Sequence, residues 1–355
     1  MARGAQREAR ALADRLDAPG VRRHRVLSLA GDGDDPSDAV AVEYTIDDGR
    51  AATTVGFDLR LVLGLRRSLD RLAPVLVVAH GGEPLKFLVP ALWRRRCRLA
   101  YYAIGTVAEP ARRPVRRWMW RFLVHRPDVI TAEGIEVLDE CRTFLGVPGE
   151  RLVLVPNGRD PEEFRPAEIA PSRTTPVITF VGALTVQKRP DWFVALVAEL
   201  RALGLEVRAL LVGDGPLRQE ITPAATAAGV ELLGARNDIA EVLRGTDVFV
   251  FPSRPRGEGM PGVLIEAGLS AVPVVATAVP GVAEIVADGE TGRVVDPDDF
   301  ESLVKAVASL LDDPLRRRTM GKAARHRCSE RFSLDVVASH WREALLPLMD
   351  RSYMS

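Results

Sequence analysis

In the C-terminal half of the chain short Val-rich runs alternate with amphipathic segments, and that alternation restricts the fold more than any other feature. PVITFVGAL reads as a strand, PDWFVALVAELRALG as an amphipathic helix ended by Gly204, and EVRALLVGDG as a second strand. PLRQEITPAATAAG is helical with an interruption at Pro223, VELLG is a third strand, and NDIAEVLRG is a short helix capped by Asn237 or Asp238. DVFVFPS, VLIEAGLS and VPVVAT continue as strand, helix and strand. Strands running in the same direction need a crossover between them, so repeated β-α-β units predict a parallel sheet covered by helices on both faces.

The N-terminal half repeats the pattern more faintly. QREARALADRL and DLRLVLGLRRSLDRL read as helices; HRVLSLAG, VAVEYTID, PVLVVAH, RLAYYAIG and DVITAEG read as strands. A length of 355 residues fits about two domains. Between them VPNGRDPEEFRPAEIAPSRTTP is dense in Pro, Asn and Gly and reads as a linker. Ligands of such sheets bind beyond the carboxyl ends of the strands, so the loops there are where chemistry is expected, on a cleft made by two stacked domains.

Composition narrows the function. Lys and Arg number 48, as do Asp and Glu, so overall charge gives no bias toward nucleic acid. No apolar run approaches the roughly 20 residues needed to cross a bilayer. The first residues, MARGAQREARALADRL, lack the apolar core of a secretory signal. Cys97, Cys141 and Cys328 form no CxxC pair, which fits a reducing cytoplasm and points to no metal site. The acidic GDGDDPSD reads as a solvated turn. Local charge is uneven, however. Arg94, Arg95, Arg96, Arg112, Arg113, Arg116, Arg117 and Arg121 surround Trp93, Trp118 and Trp120. Two readings stand for the 93–121 region: a contact with an anionic membrane surface, or a solvated arginine face with its tryptophans in the core.

The most informative segment is SRPRGEGMPGVLIEAGLSAVPVVAT, a loop between a strand and a helix that opens near Gly262. Gly257, Gly259 and Gly262 allow close backbone approach to a ligand. Pro261 suits the position just ahead of a helix, and the N–H groups of Gly262 to Leu264 form a helix end that attracts phosphate. Glu258 on the loop and Glu266 in the helix are eight positions apart, placed to flank one ligand and accept hydrogen bonds from sugar diols.

EGMPGVLIEA, with this spacing of glutamates, resembles the donor-site signature of the retaining glycosyltransferases of family four, group 1. FVGALTVQKRPDWFVALVAEL, LLVGDGPLRQEI, LLGARNDIAEVL and VVATAVPGVAEIVADGETGRVV stand in that family's order and spacing. The resemblance implies a GT-B fold, α/β with two Rossmann-like doubly wound domains facing across a cleft. These would be residues 1–160 on the acceptor side, with a C-terminal helix at 336–355 packing back on it, a linker at 161–175, and a nucleotide-sugar domain at 176–335. It implies that Glu266 holds the ribose, Glu258 the transferred sugar and Lys188 the diphosphate. Gly182, Gly259, Met260, Pro261, Gly262, Val263 and Leu264 would line the donor, and Arg236 would lie beside the base. Gly213 to Gly215 reads as a tight turn, because Pro216 breaks any GxGxxG fingerprint.

On the acceptor side Gly4 resembles the end of the family's first loop, although the strand that should precede it is absent; either the start of the chain is misplaced, the reading favoured, or the first domain is shortened. His80, Gly81, Gly82 and Glu83 resemble an acceptor-side loop, with His80 counted among the catalytic residues beside Glu258 and Lys188. Two positions depart from the family: Ile104 stands where many members have a histidine, and Ala183 where many have an arginine. The implied activity is hexosyl transfer from a nucleoside diphosphate sugar, a UDP-sugar favoured, to a hydroxyl of a glycan, lipid-linked or small-molecule acceptor. It would proceed with retention, without metal or resident cofactor, in the cytoplasm or at the inner membrane face. The alternative suggested by Ala183 and Ile104 is a weakly active homologue that binds nucleotide sugar as a partner subunit; an epimerase on the same fold fits the glutamate loop less well.

Overall fold

The computed structural model describes residues 57–106, 113–168, 175–255 and 259–350, together with 9, 11–13, 15 and 16. The strands expected in HRVLSLAG and VAVEYTID, and Gly4, lie outside these residues. The chain divides into two compact units, Met1–Asn157 with Leu334–Ser355, and Gly158–Ser333.

In the first unit α1 (Leu59–Leu72) is capped by Asp58, whose carboxylate accepts from the Arg60 N–H at 2.8 Å. Its Leu61, Val62, Leu65 and Leu69 recur on one face and are buried, as an amphipathic helix requires. There follow β1 (Leu76–His80), α2 (Gly82–Ala91), β2 (Arg98–Ala103), α3 (Pro114–Val124), β3 (Val129–Ala132), α4 (Ile135–Asp139) and β4 (Leu152–Leu154). The four strands are parallel in the order β1-β2-β3-β4. Tyr101 packs on one side of this sheet with Leu65, Leu85 and Phe87. Tyr102 points to the other, where it joins Leu12, Val155, Trp341 and Leu345. The last two come from the helix Leu334–Asp350, which thus covers that side of the sheet.

The second unit contains β5 (Val177–Val181), α5 (Pro190–Ala202), β6 (Arg208–Val212), α6 (Arg218–Ala227), β7 (Val230–Gly234), α7 (Ile239–Arg244), β8 (Val248–Phe251), α8 (Gly262–Leu269), β9 (Val274–Thr277), α9 (Val282–Ile285), β10 (Gly292–Val295), α10 (Phe300–Asp312) and α11 (Pro314–Phe332). All six strands are parallel, in the order β10-β9-β8-β5-β6-β7. Every residue of β8 and β9 is buried, which is why these strands read as continuous apolar runs and not as alternation. From β5 the chain steps outward to β6 and β7, then returns to lay β8 on the opposite side of β5. That reversal leaves a crevice beyond the carboxyl ends of β5 and β8.

Two local expectations fail. α6 runs through Pro223, since a proline removes one ladder bond and the Ala228 N–H still closes on Ala224 at 2.9 Å. The segment that reads as a linker is also built into the fold, its part at 158–168 into the second unit. The Arg159 N–H donates to the Phe332 carbonyl at 2.9 Å, Arg159 and Ser333 form a parallel bridge, and Phe164 is buried with Leu264, Leu269 and Phe332.

Candidate functional site

Two loops meet at the point where the order of the second sheet reverses. The first follows β5 and carries Gly182 and Lys188; the second follows β8 and leads into α8. They are tied directly, the Arg254 N–H donating to the Gln187 carbonyl at 2.8 Å. The Lys188 ammonium lies 5.0 Å from the centre of the Phe251 ring, at the end of β8, where the ring's negative face favours a cation. Its neighbour Arg189 has another job. It is buried in a left-handed conformation (φ 48°) at the head of α5, pairs with Asp298 at 2.8 Å and stacks on Trp192. Of two adjacent basic residues, one anchors the loop and the other stands over Phe251.

The turn after β6 closes this floor. Gly213 (φ 138°) packs so tightly on the first loop that a Cβ there would lie 1.9 Å from the Gly182 carbonyl oxygen. The Leu184 N–H donates to the Asp214 carbonyl, and the Leu217 N–H to that of Leu184, both at 3.0 Å. The Gly-Asp-Gly turn is tight, as its sequence reads, and it packs against the first loop. Ala183, beside Gly182, is exposed on the same loop and has no polar group to offer a ligand.

On the β8 side Met260 and Pro261 are buried, and Pro261 takes an extended conformation (φ −72°, ψ 99°) immediately before α8. The Leu264 N–H returns to the Pro261 carbonyl at 3.0 Å, whereas those of Gly262 and Val263 meet no acceptor among the described residues. Glu266 follows one turn later. Its Oε1 accepts from Arg159 Nε at 2.7 Å, with both side chains only 16% exposed. The guanidinium lies over the start of α8: a Cβ on Gly262 would fall 2.0 Å from Arg159 Nη2. Arg159 was not anticipated, because it stands 107 positions from its partner in a segment whose composition reads as loop. Arg236, after β7, pairs with Asp238 at the head of α7 (Nε to Oδ1 2.8 Å), and that pair holds the Asp238 carboxyl below its usual range. The carboxylate is thus engaged by Arg236, and it makes no cap to the α7 backbone. Gly257 and Glu258 lie outside the described residues.

In the first unit His80 ends β1 and stands half-buried between Tyr102 (ring centres 5.5 Å apart) and Trp341 (5.9 Å). Burial pushes its pKa down to about 4. Gly81 (φ 86°) precedes α2, Gly82 abuts the ring of Trp120, and Glu83 pairs with Lys86 at 2.7 Å. Beyond β2, β3 and β4 runs a buried polar chain that sequence reasoning missed. Tyr102 Oη donates to Asn157 Oδ1, and Asn157 Nδ2 to Glu133 Oε2, each at 2.9 Å, while the Gly105 N–H donates to Glu133 Oε1 at 2.6 Å. Ile104, partly buried, packs in the same cluster as Tyr102 and Trp341.

The His80 shift has a measurable consequence. The folded state binds the proton less readily than the unfolded chain, whose histidine titrates near 6.5, so the group costs nothing above that pH. As pH falls from 6.5 to 4, unfolding is expected to become easier by about 3 kcal/mol. Urea midpoints of wild type and His80→Gln should diverge over that window; parallel curves would show that His80 is not the group responsible.

The family model described as Glycosyltransferase Family 4 matches residues 2–163, and that described as Glycosyl transferases group 1 matches residues 175–313. The alpha-maltose-1-phosphate synthase of Mycolicibacterium smegmatis is 33% identical over 299 residues, 76% of this chain and 72% of that protein. The chain belongs to glycosyltransferase family 4. Its two parallel-sheet units are the α/β GT-B architecture expected of a family 4 member. The GDP-mannose-dependent alpha-(1-6)-phosphatidylinositol monomannoside mannosyltransferase of the same organism is 33% identical over 232 residues, 60% of each chain. The family fold is also that of the Anabaena protein Alr3699/HepE, solved in complex with UDP-glucose (TM-score 0.71, 21% identity, 81% of this chain and 82% of that one). Across the first of its curated relatives this family 4 chain spans between 23% and 72% of their length. No helix among the described residues is long and apolar enough to cross a membrane.

Proposed function

We propose that the chain transfers a hexosyl group from a nucleoside diphosphate sugar, with a UDP-sugar favoured, to a hydroxyl acceptor, with retention at the anomeric carbon and without a metal ion. The observation that carries this reading is the convergence, at the β5/β8 switch point, of a lysine, a helix N-terminus and an arginine-tethered glutamate. In the proposal the diphosphate lies between Lys188 and the N–H groups of Gly262 and Val263. The ribose hydroxyls donate to Glu266, whose Oε1 is held by Arg159. Glu258 takes the sugar hydroxyls. Gly182, Gly259, Met260, Pro261 and Leu264 form the wall, and Arg236 stands toward the base. The loop from His80 to Glu83 belongs to the acceptor.

In the reaction the bond from the anomeric carbon to the diphosphate oxygen breaks, a bond to the acceptor oxygen forms on the same face, and the acceptor's proton passes to the departing diphosphate. Lys188 and the helix amides stabilise the charge that develops there. In the same proposal the 93–121 region makes a peripheral contact with lipid.

A thermal-shift panel of UDP-, GDP- and ADP-sugars tests the donor. At about 100 times Kd a bound sugar nucleotide is expected to raise the melting temperature of the cooperatively unfolding chain by roughly 4 °C, through about 2.7 kcal/mol of binding linkage. Turnover of the selected donor with acceptor should survive EDTA and give the retained anomer. A shift without turnover would mark a nucleotide-sugar-binding partner, and loss of turnover on chelation would remove the metal-free mechanism.

A further inference from the structure

We propose that the solvent face of α3, together with Trp93, seats the protein on a bilayer rich in anionic phospholipid. The inference rests on the peripheral-contact part of the proposed function and is independent of the transfer chemistry.

A surface helix ordinarily turns its apolar stripe to the core. α3 does the opposite. Val115, Trp118, Met119 and Phe122 recur at helical spacing on one stripe, and they are 81%, 73%, 37% and 42% exposed. The helix buries only Leu123 and Val124, while Trp120 turns inward against Gly82. Trp93, outside the helix, is 51% exposed, and the Arg126 guanidinium joins it to the stripe, 5.1 Å from the Trp93 ring and 4.6 Å from that of Phe122. Of the tryptophans that the core reading would bury, Trp118 and Trp93 thus lie at the surface, and Trp120 alone follows it.

The charge around the stripe identifies its partner. From Trp93 through Arg126 the sequence holds ten arginines and one acid, Glu109, in a chain that is balanced overall. Arg95 and Arg98 are engaged by Asp70 and Asp128, and Arg117 by Phe144, but Arg94, Arg96, Arg113 and Arg116 are exposed. Indole and phenyl rings set among guanidinium groups suit the headgroup layer, where the rings enter the acyl boundary and the cations meet phosphate. A second copy of this chain would oppose arginine to arginine, which disfavours self-association through this face.

The test is co-sedimentation of the full chain with sucrose-loaded vesicles of phosphatidylcholine, alone or with about 30% phosphatidylglycerol. Partition is expected to be more than tenfold stronger on the anionic vesicles and to fall steeply in high salt. Arg113→Ala with Arg116→Ala should weaken it about 25-fold, roughly fivefold per charge. Trp118→Ala with Phe122→Ala should weaken it at least tenfold. Because these side chains are exposed, the variants should keep the wild-type circular dichroism and the donor thermal shift. Equal partition on neutral vesicles, absence of binding to either, or unchanged binding by both variants would overturn the proposal. So would a lipid-insensitive oligomer dissociated by the Trp118/Phe122 variant. Since no donor enters the assay, failure here leaves the transfer reading intact, and a failed donor panel leaves this one intact.

Discussion

Replacing Lys188 with alanine is expected to lower turnover 100- to 1,000-fold at saturating donor while the melting temperature stays within a degree or two. The magnitude is that of removing one preorganised charge stabiliser from a leaving group, roughly 2.7–4 kcal/mol of barrier. The fold should tolerate the change because backbone bonds and the neighbouring Arg189 hold this loop. The loop is fixed by the Lys188 N–H to Thr185 (3.1 Å), by the Arg254 bond to Gln187, and by Arg189 against Asp298 and Trp192. Arg189→Ala is the contrasting variant: it leaves a cavity beside Trp192 and should lower the melting temperature. A Lys188→Ala enzyme with wild-type turnover would remove the lysine from the mechanism.

The second unit is legible because its strands are short, the central ones are buried along their whole length, and helices separate them, so that local pattern and tertiary environment agree. The strand-loop-helix around α8 is legible for the same reason, down to the helix start at Gly262 and the role of Pro261 ahead of it. What escapes is whatever depends on distant partners. Composition marks the 155–176 segment as loop, yet Arg159 bridges to Ser333 and Phe164 enters the core, pairings that no local window contains. The tryptophans of α3 illustrate a different limit. Periodicity states that Val115, Trp118, Met119 and Phe122 share a face but is silent on which side of the helix the sheet lies. Gly82, by admitting the ring of Trp120, fixes that choice and leaves the other stripe outside. The buried chain from Tyr102 through Asn157 to Glu133 is equally invisible, since its members come from three separate strand ends.

The largest effect on binding is expected at Arg159, the residue that sequence does not mark. In the proposed site Glu266 grips the ribose only if its carboxylate is aimed at the hydroxyls, and the Arg159 bond at 2.7 Å in a site with little solvent holds that orientation. Arg159→Ala would leave a largely buried carboxylate without its counter-charge, a loss that costs a few kcal/mol in such surroundings. The expected result is a 10- to 100-fold weaker Kd, measured by titration calorimetry, for the preferred nucleoside diphosphate. The free nucleoside should weaken by a similar factor, because it carries the ribose that Glu266 would no longer grip. Lys188→Ala should behave differently, weakening the diphosphate and sparing the nucleoside. Gly262→Ala should reproduce part of the Arg159 effect without touching either charge, since its methyl group would occupy the space of Arg159 Nη2 and push the guanidinium off Glu266. In a double-mutant cycle, Arg159→Ala and Glu266→Ala should couple by about 1–3 kcal/mol. Additive losses, or a nucleoside bound by Arg159→Ala as tightly as by wild type, would mean that the pair serves the fold and not the ligand.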